Sequence, residues 1–284
     1  MAESAAGIQY NKETILGFEQ RMSRLRKTVT IEAQITQAEG GGSASAVFLV
    51  AGSGTSAPVT RGINGRIPSQ TSDLTQSTAT LVEWHHLEEA TSFNIETSQG
   101  NRRRIMQQTT LASMNRKIDT DILAALANTT VDTGAAQFGS LDLVVYALTV
   151  LGNNDVENDG NISAVITPAF HGNLVKTKEF KSAEYIGSAG EMNKKLPMEF
   201  DWLGVRFIVS TRITGKGTAD EKCYMYHKAA IGHACDSEQI RTAAGYDEQQ
   251  DYSYARTSAF MGSKLLQGTG VVQIAHNGSN YAAQ

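Results

Sequence analysis

The sequence predicts an α+β protein in which a long extended loop runs into one long helix. Three observations carry that prediction. Residues 28–35 alternate between apolar and polar as a half-buried strand does. Roughly fifty residues rich in Gly, Ser and Thr follow, with little that could pack. Asn101 to Asn128 then holds a helical apolar period with no Pro or Gly inside it. A compact domain rarely carries that much loop without a use, and ordering on a neighbouring subunit would be one.

Composition narrows the field. At 284 residues with 40% hydrophobic content, the chain can build one large domain or two smaller ones. It has 26 Gly and 4 Pro, so its flexibility comes from glycine. A net charge of -4 argues against a protein that grips DNA by its phosphates. Cys223 and Cys235 are too few for a disulfide framework and read as free thiols in a reducing cytosol. The polar start MAESAAGIQY lacks a secretory apolar core, and no run approaches the ~18 apolar residues of a membrane span. The expectation is a soluble protein made in a cytoplasm, with no membrane partner.

The elements follow in order. Residues 1–10 read as a tail. Asn11 to Lys27 reads as a helix, with Ile15, Phe18, Met22 and Leu25 on one face. Its basic end (Arg21, Arg24, Arg26, Lys27) suits a helix C-terminus. It is either an arm that docks on a neighbour or a solvated face. Val29, Ile31, Ala33 and Ile35 then point one way, and Thr28, Thr30, Glu32 and Gln34 the other. After the turn AEGGGSASA come the apolar run Val47 to Val50, the loop carrying Arg61 and Arg66, and a second strand-like run from Ala79 to Trp84. No lysine occurs between Thr28 and Asn115. Arginine holds a fixed donor fork and suits interfaces better than lysine does.

The long helix carries the stripe Leu111, Met114, Ile118, Ile122 and Ala125, with Leu126 beside it, and would be about 40 Å long. Arg102, Arg103 and Arg104 stand at its start, where the helix dipole disfavours cations. Carboxylates of a neighbouring subunit would account for them, as would simple solvation. Ser140 caps a helix running through Leu151, Ala164 to Thr167 is a buried strand, and Pro168 opens a further helix. Val205–Ser210, Tyr224–Tyr226, Ile240–Thr242, Ala255–Met261 and Val271–Ala275 read as strands. There is no internal repeat.

No motif carries chemistry. The best metal candidate is Cys223, His227, His233 and Cys235, which share strand parity. An unbroken strand would spread them over about 40 Å, and their spacing matches no common zinc pattern. Gly215-Lys216 lacks the upstream glycine of a phosphate loop. GSGTS at Gly52 to Ser56 lacks the strand-turn-helix context of a nucleophile elbow. Glu88 with Glu89, and Asp119 with Asp121, read as solvated or interface charges, because neighbours one or two apart on a helix do not face each other. The expectation is no catalytic residue, no metal and no cofactor.

This order of parts resembles the major capsid proteins of tailed bacteriophages, with the Hong Kong 97-like fold. The matching pieces are the arm, the hairpin loop, the helix ending IMQQTTLASMNRKIDTDILAAL, and the tail SAFMGSKLLQGTGVVQIAHN. A capsid subfamily carries an FEQ-like segment, an arginine loop and an R-x-x-D element. Here these are Phe18-Glu19-Gln20, Arg61 to Pro68, and Arg116-Lys117-Ile118-Asp119. The resemblance implies an N-terminal arm (1–27), an extended hairpin loop (28–82), a peripheral domain with the spine helix (83–139), an axial domain (140–218) and peripheral return strands (219–284). It also implies pentamers and hexamers tiled into an icosahedral shell around double-stranded DNA, with the DNA contacted weakly. Separate scaffolding, portal and decoration proteins would be partners. The lysine-free hairpin departs from members that crosslink through this loop, so the contacts here would be non-covalent. The candidate intersubunit contacts are Arg61, Arg66, Trp84, Arg102, Arg103 and Arg104. A bacterial encapsulin-type compartment and an enzyme built on the α/β segment are the alternatives.

Overall fold

The structure is a computed structural model. It describes residues 24–30, 34–36, 45–51, 60–61, 64–65, 74–97, 102–181, 198–235 and 241–281. The helix expected over Asn11 to Lys27 therefore lies mostly outside the described residues. Its described end is a 3-10 turn, Leu25–Thr28. That turn corrects the expected orientation of Thr28. The side chain is buried, with its hydroxyl 2.8 Å from the Leu25 carbonyl and 2.6 Å from the Tyr226 hydroxyl. The alternation expected through residue 35 is described only at its ends, because residues 31–33 lie outside.

β1 (Gln34–Thr36), β2 (Ser45–Ala51) and β3 (Leu74–Thr80) form an antiparallel sheet in chain order. Alternation divides β2 into two faces. Ala46 and Phe48 turn inward and pack with Ala79, Leu81 and Ala234, while Leu49 remains 65% exposed. The Phe48 ring lies on bare backbone: a Cβ on Gly232 would fall 2.6 Å from it. The apolar run Ala79 to Trp84 is not one strand. β3 ends at Thr80, buried Leu81 belongs to neither strand, and β4 (Val82–Thr91) begins beyond it. Leu81 keeps the inward phase of Ala79 and joins the cluster under Phe48, and the alternation breaks just beyond it, where Val82 and Glu83 are both exposed before Trp84 turns inward.

β4 pairs antiparallel with the long β11 (Tyr252–Leu265), from Thr91 opposite Tyr252 to Val82 opposite Met261. β10 (Arg241–Asp247) and β9 (Ile231–Cys235) also pair antiparallel with β11. A short helix, α1 (Ser92–Thr97), leads to α2 (Arg102–Leu126), whose 25 residues span about 37 Å. Its predicted stripe is buried at Met114, Ile118, Ile122, Ala125 and Leu126. Leu111 packs half-buried against the same cluster.

α3 (Leu141–Asn153) starts at the expected cap, where the Ser140 hydroxyl accepts from the Leu143 N–H at 3.3 Å. β5 (Ile162–Ile166) is wholly buried. Thr167 then caps α4 (Pro168–Lys176), with Pro168 in the first turn, and α5 (Lys178–Lys181) follows. β6 (Glu199–Trp202), β7 (Val205–Val209), β8 (Glu221–His227) and β12 (Val271–His276) join β5 in the order β12-β8-β5-β7-β6. Only β5 and β7 run parallel. Two of these five strands, β8 and β12, come from beyond residue 218. The residues between β6 and β7, Leu203 and Gly204, both have positive φ (54° and 73°), the signature of a type I′ hairpin. Among the described residues no helix is long and apolar enough to cross a membrane.

The Phe48 contact is directly testable. Gly232→Val places atoms inside the Phe48 ring, and the hairpin must leave its seat. The expected outcome is faster protease cleavage within residues 28–82, read by mass spectrometry, with cleavage of the 140–235 region unchanged.

Candidate subunit interface and a buried polar clamp

The candidate contact residues fall in three places. Arg61 is exposed in the loop beyond β2, and Arg66 lies outside the described residues. Trp84 sits on the β4 face that meets α2. Lys117 of α2 stands 3.6 Å over its ring and pairs with Asp121 at 2.8 Å. One face of Trp84 is thus taken by its own chain. Its remaining surface lines a shallow groove at the hairpin root, with Val82, Asp121, Ala124, Asn128 and Gly262. On the same β4 face, His86 Nδ1 lies 3.3 Å from the Ser113 hydroxyl, which fixes the helix register against the strand.

At the start of α2, Arg104 is exposed and the Arg103 side chain lies outside the described residues. Arg102 is half-buried, with its Nε shielded from water and without a hydrogen-bond partner. The outer face of the hairpin adds contact surface that spacing alone did not single out. Leu49 (65% exposed) and Leu74 (57% exposed) share that face as diagonal neighbours, since Leu49 lies opposite Gln76 and Ala51 opposite Leu74.

The four metal candidates are not brought together as a set. Cys223 and His227 lie on β8, His233 and Cys235 on β9, in different sheets. His227 Nε2 pairs with Asp159 at 3.1 Å, and His233 Nδ1 lies 2.9 Å from the Ser263 hydroxyl. Neither cysteine forms a disulfide and both are buried, and burial pushes the Cys223 thiol up to about 12. Among the described residues no group of three or more His, Cys, Asp and Glu is placed to hold a metal ion. Asp119 and Asp121 also separate: Asp121 pairs with Lys117, while the negative charge of Asp119 adds to burial in raising the Tyr226 phenol.

One polar cluster was not read from the sequence. Glu221, at the start of β8, is fully buried, as is His276 at the end of β12. The Glu221 carboxylate accepts from the Thr167 hydroxyl, from the Gly217 N–H at 2.6 Å and from His276 Nδ1 at 2.7 Å. The Asn173 amide donates to His276 Nε2 at 3.1 Å. Hydroxyl, carboxylate and imidazole resemble a nucleophile relay, but the order is wrong. In a triad the imidazole stands between hydroxyl and carboxylate. Here the carboxylate stands in the middle, so the imidazole cannot take the hydroxyl proton. The cluster is a clamp that joins β5, α4, β8 and β12. No spacing signal exists for it, since its members come from distant segments of the chain.

A projecting antiparallel hairpin, a rod-like helix on one sheet and a second mixed sheet make up the Hong Kong 97-like architecture of shell-building proteins. The chain belongs to the phage capsid protein family, whose model, described as phage capsid protein, matches residues 2–277. It is thus a structural protein, a major capsid protein. Solved structures share the fold at low identity. One from Mycobacterium phage Che8 matches at 18% identity and TM-score 0.62, covering 86% of this chain and 92% of that one. The capsid of Cyanophage P-SCSP1u matches at 10% and 0.67, covering 89% and 88%. A virus-like particle from Pyrococcus furiosus matches at 11% and 0.58, covering 92% and 96%. No curated protein sequence matches the chain.

Two predictions follow from the clamp and the buried histidines. Glu221→Ala leaves the buried Thr167 and His276 donors and the half-buried Gly217 N–H without their acceptor and should cost about 3 kcal/mol or more of subunit stability, read by denaturant unfolding. His171 and His276 are held below the ordinary histidine pKa, mainly by burial. His233 is lowered to about 4 by burial and by the Arg26 charge. In each case the unfolded chain binds a proton that the folded chain refuses. Stability is therefore full above about pH 6.5 and falls as the pH drops below it, by up to about 1.4 kcal/mol per pH unit per histidine. Unfolding midpoints between pH 7.5 and 5 measure the slope, and His233→Gln should make it shallower by about one proton.

Proposed function

We propose that the chain assembles as pentamers and hexamers into an icosahedral shell around the double-stranded DNA of a tailed phage. It is made in the host cytoplasm and built with separate scaffolding, portal and decoration proteins. In this reading residues 1–27 are an arm, 28–82 the hairpin loop laid on a neighbour, 83–139 with return strands from 219–284 the peripheral region, and 140–218 the axial region. Arg61, Arg66, Trp84, Arg102, Arg103 and Arg104 make contacts between subunits.

The observation that carries this reading is the two-faced hairpin. Phe48 and Ala46 anchor one face on the subunit's own β9, while Leu49 and Leu74 are offered outward. A single subunit leaves those side chains in water, whereas a neighbouring subunit would cover them. The net charge of -4 fits a shell that confines DNA without gripping it. An encapsulin-type compartment uses the same architecture, but family membership favours the phage reading.

Expression of the chain with its scaffolding protein, followed by negative-stain microscopy, is the test. Closed shells are expected, and a small oligomer of one size overturns the reading. The contents of purified native particles separate the alternatives, since DNA is expected and a cargo enzyme would replace the phage reading. On a denaturing gel the capsid subunit of such particles should run as a single band at about its chain mass of 30.6 kDa, with no ladder of linked subunits above it, because the hairpin has no lysine to crosslink.

A further inference from the structure

The sequence holds two Asn-Gly pairs, Asn64-Gly65 and Asn277-Gly278. Such a pair carries latent chemistry. The backbone nitrogen of the glycine lies within reach of the asparagine side-chain carbonyl carbon, and glycine has no side chain to hinder the approach. Reaction needs that nitrogen to shed its proton and the local backbone to rotate. The fold treats the two pairs in opposite ways.

Asn277-Gly278 is locked. The Gly278 N–H donates to the Thr218 carbonyl at 2.9 Å, and the Asn277 N–H donates to the Gln137 carbonyl at 2.8 Å. The Asn277 side-chain oxygen accepts from the Ser279 N–H at 3.1 Å and from the Ser279 hydroxyl at 2.7 Å. Gly278 is buried, and a Cβ on it would overlap the Glu221 carboxylate, so the polar clamp fixes the backbone there. Asn64-Gly65 is open. Both residues are exposed, at a turn in the loop between β2 and β3. Gly65 has a φ of 69°, and nothing lies within 4 Å of the place a Cβ would take. Among the described residues no hydrogen bond holds the Gly65 nitrogen or the Asn64 amide.

We propose that Asn64-Gly65 is a self-modifying site, where asparagine converts to aspartate or isoaspartate without an enzyme. The Gly65 nitrogen bonds to the Asn64 Cγ, the Cγ–Nδ2 bond breaks, and ammonia departs with the Gly65 proton. Water then adds across one of the two ring C–N bonds of the succinimide and leaves a carboxylate. Water is the co-reactant, and nothing is oxidised or reduced. The charge of the loop changes with the step. Between β2 and β3 stand two arginines, Arg61 and Arg66, against one acid, Asp73. A carboxylate at position 64 cancels that positive excess and falls between the two arginines in sequence. The site itself needs only the subunit. Its consequence rests on the shell reading, in which Arg61 and Arg66 meet a neighbour: an unassembled subunit loses loop charge with time, and covering the loop in a shell halts the loss.

The test incubates the purified full-length chain in mildly alkaline water enriched in heavy oxygen and maps its peptides by mass spectrometry. Uptake of heavy oxygen is expected at Asn64 at least roughly ten-fold faster than at Asn277, because the locked pair reacts only through local opening. An isoaspartate carboxyl methyltransferase with labelled S-adenosylmethionine should mark the same Asn64 peptide. In denaturant the two pairs should react at similar rates. An Asn64 that stays an amide, equal rates at the two pairs in the folded chain, or a gap that persists in denaturant overturns the site. For the consequence, Asn64→Asp carries the product charge from the start and should assemble roughly two-fold less than Asn64→Gln, which stays neutral. Equal assembly of these two chains, each melting like the unmutated subunit, overturns the effect on assembly. Failure of the unmutated chain to form particles overturns the shell reading instead, and the peptide map still decides the site.

Discussion

The rest of the molecule depends on one buried stripe. Met114, Ile118, Ile122 and Leu126 run along α2, and they belong to a single core that also holds β5, β8 and β12 of one sheet and β9 and β11 of the other. Among the described residues no strand of one sheet pairs with a strand of the other. A rigid rod with one continuous apolar edge holds them at a fixed separation. Truncating any of these side chains would typically cost about 2–5 kcal/mol, a large share of a domain's net stability. The outer parts, hairpin and sheet end alike, keep their geometry because this edge does not yield.

Around that core the polar groups were placed to close the chain. The Glu221 carboxylate gathers donors from the loop before β8, from the cap of α4 and from the end of β12. A charge with no exposure is tolerable only when such donors surround it. The same site ties residue 276 to residue 167, so the last strand is held by hydrogen bonds as well as by its pairing with β8. The Thr28–Tyr226 hydrogen bond does the equivalent for the start of the described chain, together with the backbone bonds of Thr30 to Ile231 and His233.

The parts legible in the sequence were those governed by local rules. The α2 pattern has no breaker, and Ser140, Thr167 and Pro168 are cap chemistry within one turn of the helices they start. Strands β8 and β12 were legible as apolar runs, but not their place beside β5, because Ile162 opposite His227 and Val271 opposite Tyr226 are long-range pairings. β6 and β9 were missed: each has only four or five residues, with charges in EFDW and a glycine and a histidine in IGHAC. The run Ala79 to Trp84 hid a change of sheet at Leu81, since an apolar residue at a corner looks the same as one in a strand. In the candidate interface, the position of Arg102 was legible from the dipole argument. The cation over Trp84 was not, because Lys117 comes from another element. The Glu221 clamp left no trace in spacing at all.

The seat of Phe48 on Gly232 separates the hairpin's attachment from its length. The buried side chains named for the hairpin fall at residues 46, 48, 79 and 81, all near the root. Residues added between β2 and β3 would leave that seat untouched and cost mainly loop closure, which grows only with the logarithm of length. A lineage could therefore lengthen or shorten the reach of this arm, and with it the curvature or size of what copies build, while the subunit beneath keeps its sequence and fold.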